Sequence, residues 1–249
     1  MYINTTGLIL RETRYQDSSK ILTVLTGSEG KLTVLARGAL RRNSKLAAVT
    51  QLLAFSEMTL FSSRDRWTLT EAQSVEQFSG LRDDIGLLAL GSYFAELTEA
   101  VTDEDSPDPG ILTLCLNALY ALSRGVKAPE YVKPAYELRL MAAAGFAPLI
   151  AHCAVCGREE PEWAVLDFAE GTLRCGGCAP AERGKTAEFS AGALCAMRYI
   201  ISCDPKKLFS FTLGDAALKE LSLAAEGYLL AHLDRRFRTL DYYKSIVLR

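Results

Sequence analysis

A chain of 249 residues, of which 49% are hydrophobic and 23% charged, can bury a substantial core without disulfides, and one or two globular domains are expected. Its 28 basic and 30 acidic side chains give a net charge of −2, which argues against a protein that covers its whole surface with nucleic acid. The chain does not open with the basic and apolar segments of a secretory signal, so we expect a cytoplasmic protein. The longest uncharged run, residues 140–157, is interrupted by Gly145 and Pro148 and predicts no membrane span.

The basic residues are concentrated toward the two ends of the chain. Residues 1–70 contain 10 basic and 5 acidic side chains, and residues 190–249 contain 9 basic and 6 acidic ones. Residues 71–148 have the opposite balance, with 5 basic and 12 acidic side chains. A polyanion is therefore expected to contact the ends of the chain and not its middle.

Short alternating segments at the start of the chain predict a β domain. Apolar and polar residues alternate there, with glycine or serine between the segments, as is typical of strands with one buried face. Five such strands favour a small barrel, for which the OB-fold is the commonest five-stranded solution and an SH3-like barrel is the alternative. The predicted strands are Thr6–Arg11, Ile21–Thr26, Lys31–Arg37, Leu52–Phe61 and Arg66–Ala72.

The third strand and the loop after it carry five cations. No acidic residue lies between Glu29 and Glu57. The cations in that interval are Lys31, Arg37, Arg41, Arg42 and Lys45. Such an uncompensated cluster is typical of phosphate contacts, although a solvated basic loop gives the same pattern. Aromatic residues are sparse in the predicted barrel, so phosphate contacts should outweigh base stacking and sequence preference should be weak.

Four cysteines in two C-x2-C pairs form the most specific motif in the chain. Two such pairs supply the tetrahedral sulfur shell that zinc prefers, and the sequence between them predicts a hairpin that turns at Glu170-Gly171. The predicted ligands are Cys153, Cys156, Cys175 and Cys178. Because four thiolates fill the shell, we expect a structural Zn²⁺, with an iron–sulfur cluster or a redox pair as the alternative. The remaining cysteines, Cys115, Cys195 and Cys203, lie in helical patterns and are predicted to be buried.

Helical periodicity begins at Leu81 and continues, outside the cysteine-rich segment, to the end of the chain. Helices are predicted from an Asp83 or Asp84 cap to Val101, at Ile111–Ser123 and at Pro129–Ala144, and later from near Ser190 and near Thr212. We therefore predict an α+β protein with a five-stranded OB-fold barrel at residues 1–78. An all-helical domain follows at residues 79–249, with an inserted four-cysteine zinc finger at residues 150–182.

The last predicted helix is expected to run into a cluster of cations near the end of the chain. The cluster consists of Arg235, Arg236 and Arg238, followed by Lys244 and Arg249. Cations suit a helix C-terminus, and the same residues would also suit a second phosphate patch, so both interpretations stay open.

No catalytic motif accompanies these features. Gly184-Lys185-Thr186 resembles the end of a phosphate-binding loop, but Ala179 occupies the position where that loop needs glycine. The chain has two histidines, which leaves little for acid/base chemistry. We therefore expect a binding protein and not an enzyme.

Three blocks of the sequence resemble the bacterial recombination mediator family RecO, and the resemblance covers essentially the whole chain. They are TRYQDSSKILTVLTGSEGKLTVLARGALRRNSK, LRLMAAAGFAPLIAHCAVCG and LDRRFRTLDYYKS. The resemblance implies an OB-fold, a helical body and a zinc site. It also implies that the protein binds single- and double-stranded DNA, anneals complementary strands, and acts with RecR, and in some settings RecF, to load RecA onto DNA coated by single-strand binding protein.

The resemblance also assigns roles to particular residues. It implies that Arg37, Arg41, Arg42 and Lys45 line the DNA face of the barrel, with Lys20 and Lys31 as weaker candidates. A nucleoid-associated location follows from the same likeness. The alternative function is a zinc-ribbon adaptor that acts mainly through protein contacts, and a metal-dependent nucleic-acid enzyme is a third.

Overall fold

Five strands at the amino-terminal end close into a barrel. The computed structural model describes residues 1–64, 66–104, 106–179 and 184–247. The barrel strands are β1 (Tyr2–Tyr15), β2 (Ser19–Thr26), β3 (Lys31–Ala36), β4 (Phe55–Ser63) and β5 (Arg66–Glu76). They are hydrogen-bonded in the order β1-β2-β3-β5-β4, with β4 pairing back to β1. The β3–β5 pairing is parallel and the others are antiparallel, which confirms the predicted OB-type barrel.

Inward-facing side chains of the strands fill the barrel. The core contains buried residues from all five strands and from the connection between β3 and β4. Its members include Ile9, Leu22, Val24, Val34, Ala39, Ala54, Met58, Leu60 and Leu69. In β1, a methyl group added at Gly7 would overlap the side chain of Val24, so the absence of a side chain there allows β1 to approach β2.

Two strands extend four residues beyond their predicted carboxyl-terminal ends. β1 continues past Arg11 to Tyr15, and β5 continues past Ala72 to Glu76. Most of the additional residues are exposed, so they carry no apolar alternation. Pairing with the neighbouring strands keeps them extended, because Arg14 lies opposite Lys20 on β2.

Contacts divide the chain into two compact units. The first contains Met1–Val126 and Phe237–Arg249, and the second contains Lys127–Arg236. The division by fold into residues 1–78 and 79–249 stays a prediction.

Beyond the barrel, the first unit contains helices α1 (Ile85–Val101), α2 (Pro109–Ser123) and α6 (Arg238–Val247). The side chain of Asp84 caps α1 by accepting a hydrogen bond from the Leu87 amide at 3.0 Å, which confirms the predicted cap. The rings of Tyr93 on α1 and Phe237, just before α6, pack edge to face at 5.9 Å, and both are buried. None of the described helices is long and apolar enough to span a bilayer.

The second unit contains three helices and a small sheet. The helices are α3 (Pro129–Ala143), α4 (Ala191–Ser202) and α5 (Asp215–Leu233), and the strands are β6 (Trp163–Asp167), β7 (Thr172–Cys175) and β8 (Thr186–Ser190), in the order β7-β6-β8. β6 and β7 form the predicted hairpin, and Gly171 in its turn has a φ of 65°. β8 was not predicted. The predicted zinc-finger range includes positions 180–182, which lie outside the described residues.

A buried ion network joins α3 to α5 within the second unit. The Lys133 amine lies 2.8 Å from a Glu137 oxygen on the next turn of α3 and 3.0 Å from a Glu226 oxygen on α5. Glu137 is fully buried and the Lys133 side chain is 7% exposed. Burial alone would lower the pKa of Lys133, but the two carboxylates outweigh it and raise that pKa above its ordinary value of 10.5.

The expected course of the last long helix is wrong. α5 ends at Leu233, and the next residue, Asp234, has a left-handed φ of 44°. Arg238 therefore opens α6 and does not close α5, so the helix-C-terminus interpretation fails for this residue. Arg249 lies outside the described residues.

Candidate nucleic-acid interface and metal centre

The connection between β3 and β4 covers residues 37–54 and is a series of tight turns. Backbone hydrogen bonds from Arg41 to Gly38 (3.1 Å) and from Ser44 to Arg41 (3.0 Å) hold its first half. Gly38 has a φ of 67°, and the Arg41 side chain passes close above it. The loop is therefore an ordered structure with a defined shape.

The turn between β1 and β2 anchors this loop. The Leu40 amide donates to the Ser18 carbonyl at 2.9 Å, and the Gly38 amide donates to the Ser19 hydroxyl at 3.3 Å. Because Ser18 lies in the β1–β2 turn and Ser19 is the first residue of β2, the loop and this turn form one continuous edge of the barrel.

Four of the predicted DNA-binding cations project from this edge into solvent. They are Arg37, Arg41, Arg42 and Lys45, and all four are exposed. Within the described ranges, no ion pair involves any of them. Their guanidinium and ammonium groups can therefore contact an external anion without first breaking an internal pair.

The two remaining candidates, Lys20 and Lys31, make contacts within the protein. Lys20 is 8% exposed; its amine pairs with Glu12 and donates to the Thr50 carbonyl at 3.1 Å. The amine of Lys31 donates to the carbonyls of Glu99, at 2.9 Å, and of Thr102. These contacts join distant parts of the sequence, so the local charge pattern does not reveal them.

A groove lies beside the loop, at the end of the barrel. It has a volume of about 460 Å³, and its lining includes Arg14 on β1, Leu40 and Gln51 on the loop, and Arg82 after β5. Both arginines are exposed, and a guanidinium nitrogen of Arg82 donates to the Leu52 carbonyl at 3.3 Å. Sequence analysis missed Arg14 and Arg82 because barrel closure, and not sequence proximity, brings them together.

The four predicted metal ligands converge on one point in the second unit. The sulfur atoms of Cys153, Cys156, Cys175 and Cys178 all lie within 4.8 Å of one another. Four sulfurs around one Zn²⁺ would lie about 3.8 Å apart, given bonds of about 2.3 Å. The Cys156 and Cys175 sulfurs are 3.6 Å apart, which fits shared coordination and is too long for a disulfide. The cluster can therefore hold a metal ion.

Two cysteines of the cluster have shifted pKa values. For Cys153, burial opposes ionisation, but hydrogen bonds from backbone amides, led by those of Cys156 and Cys175, outweigh it and lower the pKa to about 6. For Cys178, hydrogen bonds with the Cys156 and Cys175 side chains, followed by burial, raise the pKa to about 12. A bound cation would supply the charge that lets all four thiolates coexist.

The surrounding structure holds the two cysteine pairs in place. Arg198 on α4 donates to the carbonyls of Ile150 (2.8 Å), Ala151 (2.9 Å) and Glu159 (2.7 Å), on both sides of the first pair. Near the second pair, a methyl group added at Gly176 would overlap the indole of Trp163. These contacts fix the backbone before and between the ligands.

The other three cysteines and His232 are not members of this cluster. Cys115 is fully buried, as predicted, but Cys195 is exposed and Cys203 is half-buried, so burial was predicted wrongly for those two. His232 packs against the Tyr228 ring at 4.2 Å. His152 is exposed beside the cluster.

Family models match both parts of the chain. The model described as "Recombination protein O N terminal" matches residues 1–78, and "Recombination protein O C terminal" matches residues 82–241. The chain belongs to the RecO family. Similar curated proteins include the "DNA repair protein RecO" of Acetivibrio thermocellus, 30% identical over 98% of this chain and 97% of that protein. The protein with the same name from Symbiobacterium thermophilum is 31% identical over 98% and 97%. Membership of the RecO family gives this chain a role in DNA repair and recombination.

Proposed function

We propose that this chain is a non-catalytic strand-handling protein. It binds single- and double-stranded DNA through the edge of its barrel and anneals complementary strands. The observation that carries the proposal is the exposed cluster of Arg37, Arg41, Arg42 and Lys45, which have no ion-pair partner in the described part of the chain. Lys20 and Lys31 are weaker candidates because their amines already have protein partners.

The cluster favours contacts to phosphate over readout of bases. Guanidinium groups bind phosphate oxygens through charge-assisted hydrogen bonds. The barrel strands contain few aromatic residues, which are too few for an extended stacking platform. They are Tyr2, Tyr15, Phe55, Phe61 and Trp67. A strand held in this way keeps its bases available for pairing.

Annealing by this mechanism needs no input of chemical energy. Two loosely held strands can slide until complementary bases meet, and base-pair stacking supplies about 1.4 kcal/mol per step. The protein concentrates the strands and screens the repulsion between their phosphates. Nucleotide hydrolysis therefore has no place in the proposed mechanism.

The metal in this proposal is Zn²⁺ with a structural role. Cys153, Cys156, Cys175 and Cys178 would hold it, and with four protein ligands no coordination position stays open for a substrate. The ion would join the segment before β6 to the end of β7.

The family also supports proposals for partners. We expect RecR and single-strand binding protein as direct partners, with RecF in some settings, and RecA as the protein loaded onto the DNA. Proteins that work on DNA in this way are expected at the nucleoid, in the cytoplasm.

The test is salt-dependent binding of labelled single strands by fluorescence anisotropy. Four phosphate contacts predict that log K falls with log salt with a slope of about −3, from about 0.7 per contact. Arg41→Gln/Arg42→Gln should make the slope shallower by about 1.4 and weaken binding equally for different base sequences. Lys206→Gln/Lys207→Gln, which removes two exposed charges in the second unit, is the matched control.

Unchanged affinity in the Arg41→Gln/Arg42→Gln variant would contradict the assignment. If the native protein bound no DNA even at low salt, the zinc-ribbon adaptor would become the better explanation. A strand-annealing assay on strands coated with single-strand binding protein, with and without RecR, tests the mediator role directly.

A further inference from the structure

We propose that the groove at the barrel end is a second phosphate subsite, in which Arg14 and Arg82 hold the DNA backbone next to the nucleotides bound by the loop. This inference rests on the proposed function and extends the path of the strand beyond the predicted basic loop. Its ligand is the sugar-phosphate backbone of a single strand that continues from the loop.

The charge balance of the groove supports an anionic ligand. Its lining contains three cations and one carboxylate, and the carboxylate, on Glu12, is paired with the buried amine of Lys20. Arg14 and Arg82 remain, and within the described ranges neither has an ion-pair partner. After internal pairing, the groove therefore carries two positive charges that face solvent.

The groove is continuous with the basic loop. Leu40 lines it and is directly followed by Arg41, the first of the two adjacent loop arginines. The Leu40 amide is bonded to the Ser18 carbonyl, so this junction is fixed. A strand whose phosphates lie on Arg41 and Arg42 would meet the groove at the next positions along its backbone.

The shape of the groove also suits a nucleotide backbone. Its volume of about 460 Å³ falls within the range of small-ligand sites. Leu40 and Leu52 offer apolar surface for a sugar, and Gln51 offers an amide for hydrogen bonds. Arg82 is held in position by its bond to the Leu52 carbonyl, so ordering it on binding costs little side-chain entropy.

The experiment compares three double variants on long oligo-dT by anisotropy across a salt series. Arg14→Gln/Arg82→Gln should make the salt slope shallower by about 1.4 and weaken binding at low salt on the order of 10-fold or more. Stoichiometric titration should also show fewer nucleotides occluded per protein. Arg41→Gln/Arg42→Gln tests the loop, and Lys206→Gln/Lys207→Gln controls for the loss of two charges.

The outcomes separate this inference from the proposed function. If the loop variant weakens binding but the groove variant matches the native protein, the groove inference is overturned and the proposed function stands. If neither variant changes binding, both are overturned. An equal loss in the Lys206→Gln/Lys207→Gln control would also overturn the subsite, because net charge would then explain the effect.

Folding is controlled separately, because Arg82 bonds to the loop. The single variant Arg82→Lys keeps the positive charge. If Arg82 contacts phosphate, this variant should keep most of the affinity for single-stranded DNA. Thermal unfolding of each variant should match the native protein. A loss of affinity in Arg82→Lys as large as in Arg82→Gln, with unfolding unchanged, would refute a simple charge contact.

Discussion

The amine of Lys31, at the start of β3, lies 2.9 Å from the carbonyl oxygen of Glu99, in the last turn of α1. It also donates to the Thr102 carbonyl, so one cation satisfies two carbonyls at the negative end of the helix. We expect Lys31→Met to lower the free energy of unfolding by about 1–2 kcal/mol, because two charge-assisted hydrogen bonds are lost. Urea denaturation measures this loss.

The matched control is Arg41→Met, which removes an exposed charge from the same part of the barrel. It should change stability by less than about 0.5 kcal/mol, as is usual for exposed positions. DNA affinity should show the reverse order, with the larger loss for Arg41→Met. Equal effects of the two variants on both measurements would contradict the division between structural and DNA-binding cations.

Removing one thiolate should remove the metal. We expect the native protein to carry one equivalent of zinc in elemental analysis, and Cys175→Ser to carry almost none, because three sulfurs bind Zn²⁺ much more weakly than four. Cys195→Ser changes an exposed cysteine outside the cluster and should keep the full equivalent. The folded fraction of Cys175→Ser should still bind single strands. If the native protein cleaved DNA and metal removal abolished the cleavage, the protein would instead be an enzyme.

Breaking the buried ion network of the second unit should lower the free energy of unfolding more than a substitution of an exposed residue does. Lys133→Met removes the cation that lies 2.8 Å from the buried Glu137 carboxylate, and removal of one partner from a buried pair costs about 3–5 kcal/mol. Glu226→Gln should cost less, because the Glu226 side chain is 19% exposed. Urea denaturation at neutral pH distinguishes the two, and a smaller loss for Lys133→Met than for Glu226→Gln would refute this account.

The same network predicts a pH dependence. Because the folded pKa of Lys133 is raised above 10.5, its stabilising contribution is fully present below pH 10.5 and is lost only as the pH rises through the folded value. Lys133→Met lacks this titrating group, so the difference in stability between the native protein and the variant should shrink as the pH rises above 10.5. A deficit that did not change with pH would show that lost packing, and not charge, is responsible.

The carboxylate of Glu96 on α1 caps α6. It accepts hydrogen bonds from the amide of Thr239, at 3.1 Å, and from the hydroxyl of the same residue. Glu96→Gln should lower stability by about 1 kcal/mol, since it removes a negative charge from a helix N-terminus. Limited trypsin digestion should then cut faster at Arg235 and Arg236, whereas the exposed control Glu71→Gln should not change the cleavage rate.

Much of the barrel could be predicted because the sequence pattern of each strand lies within the strand itself. Each strand buries alternate residues, so β2 and β3 were found within one or two residues of their observed ends. The ends of β1 and β5 were missed because their exposed side chains carry no alternation. β8 was missed for a related reason, since Phe189 is its one fully buried residue.

The site was predictable to the extent that its residues are close in sequence. The cysteine pairs and the loop cations form compact motifs, and the structure brings the four sulfurs together. The contacts of Lys20 and Lys31, and the meeting of Arg14 with Arg82, depend on long-range packing that periodicity does not encode. The break at Asp234 was missed because its left-handed backbone occurs without glycine.

The last helix, α6, belongs to the same unit as the first strand, with residues 127–236 in between. During synthesis on the ribosome, α1 emerges long before Phe237 and Thr239, which pack against it and bond to it. The unit that carries the barrel can therefore be completed only after the whole of the other unit has been translated. Nascent chains stalled before position 237 should expose the α1 surface to chaperones and proteases, even though the barrel strands have already been made.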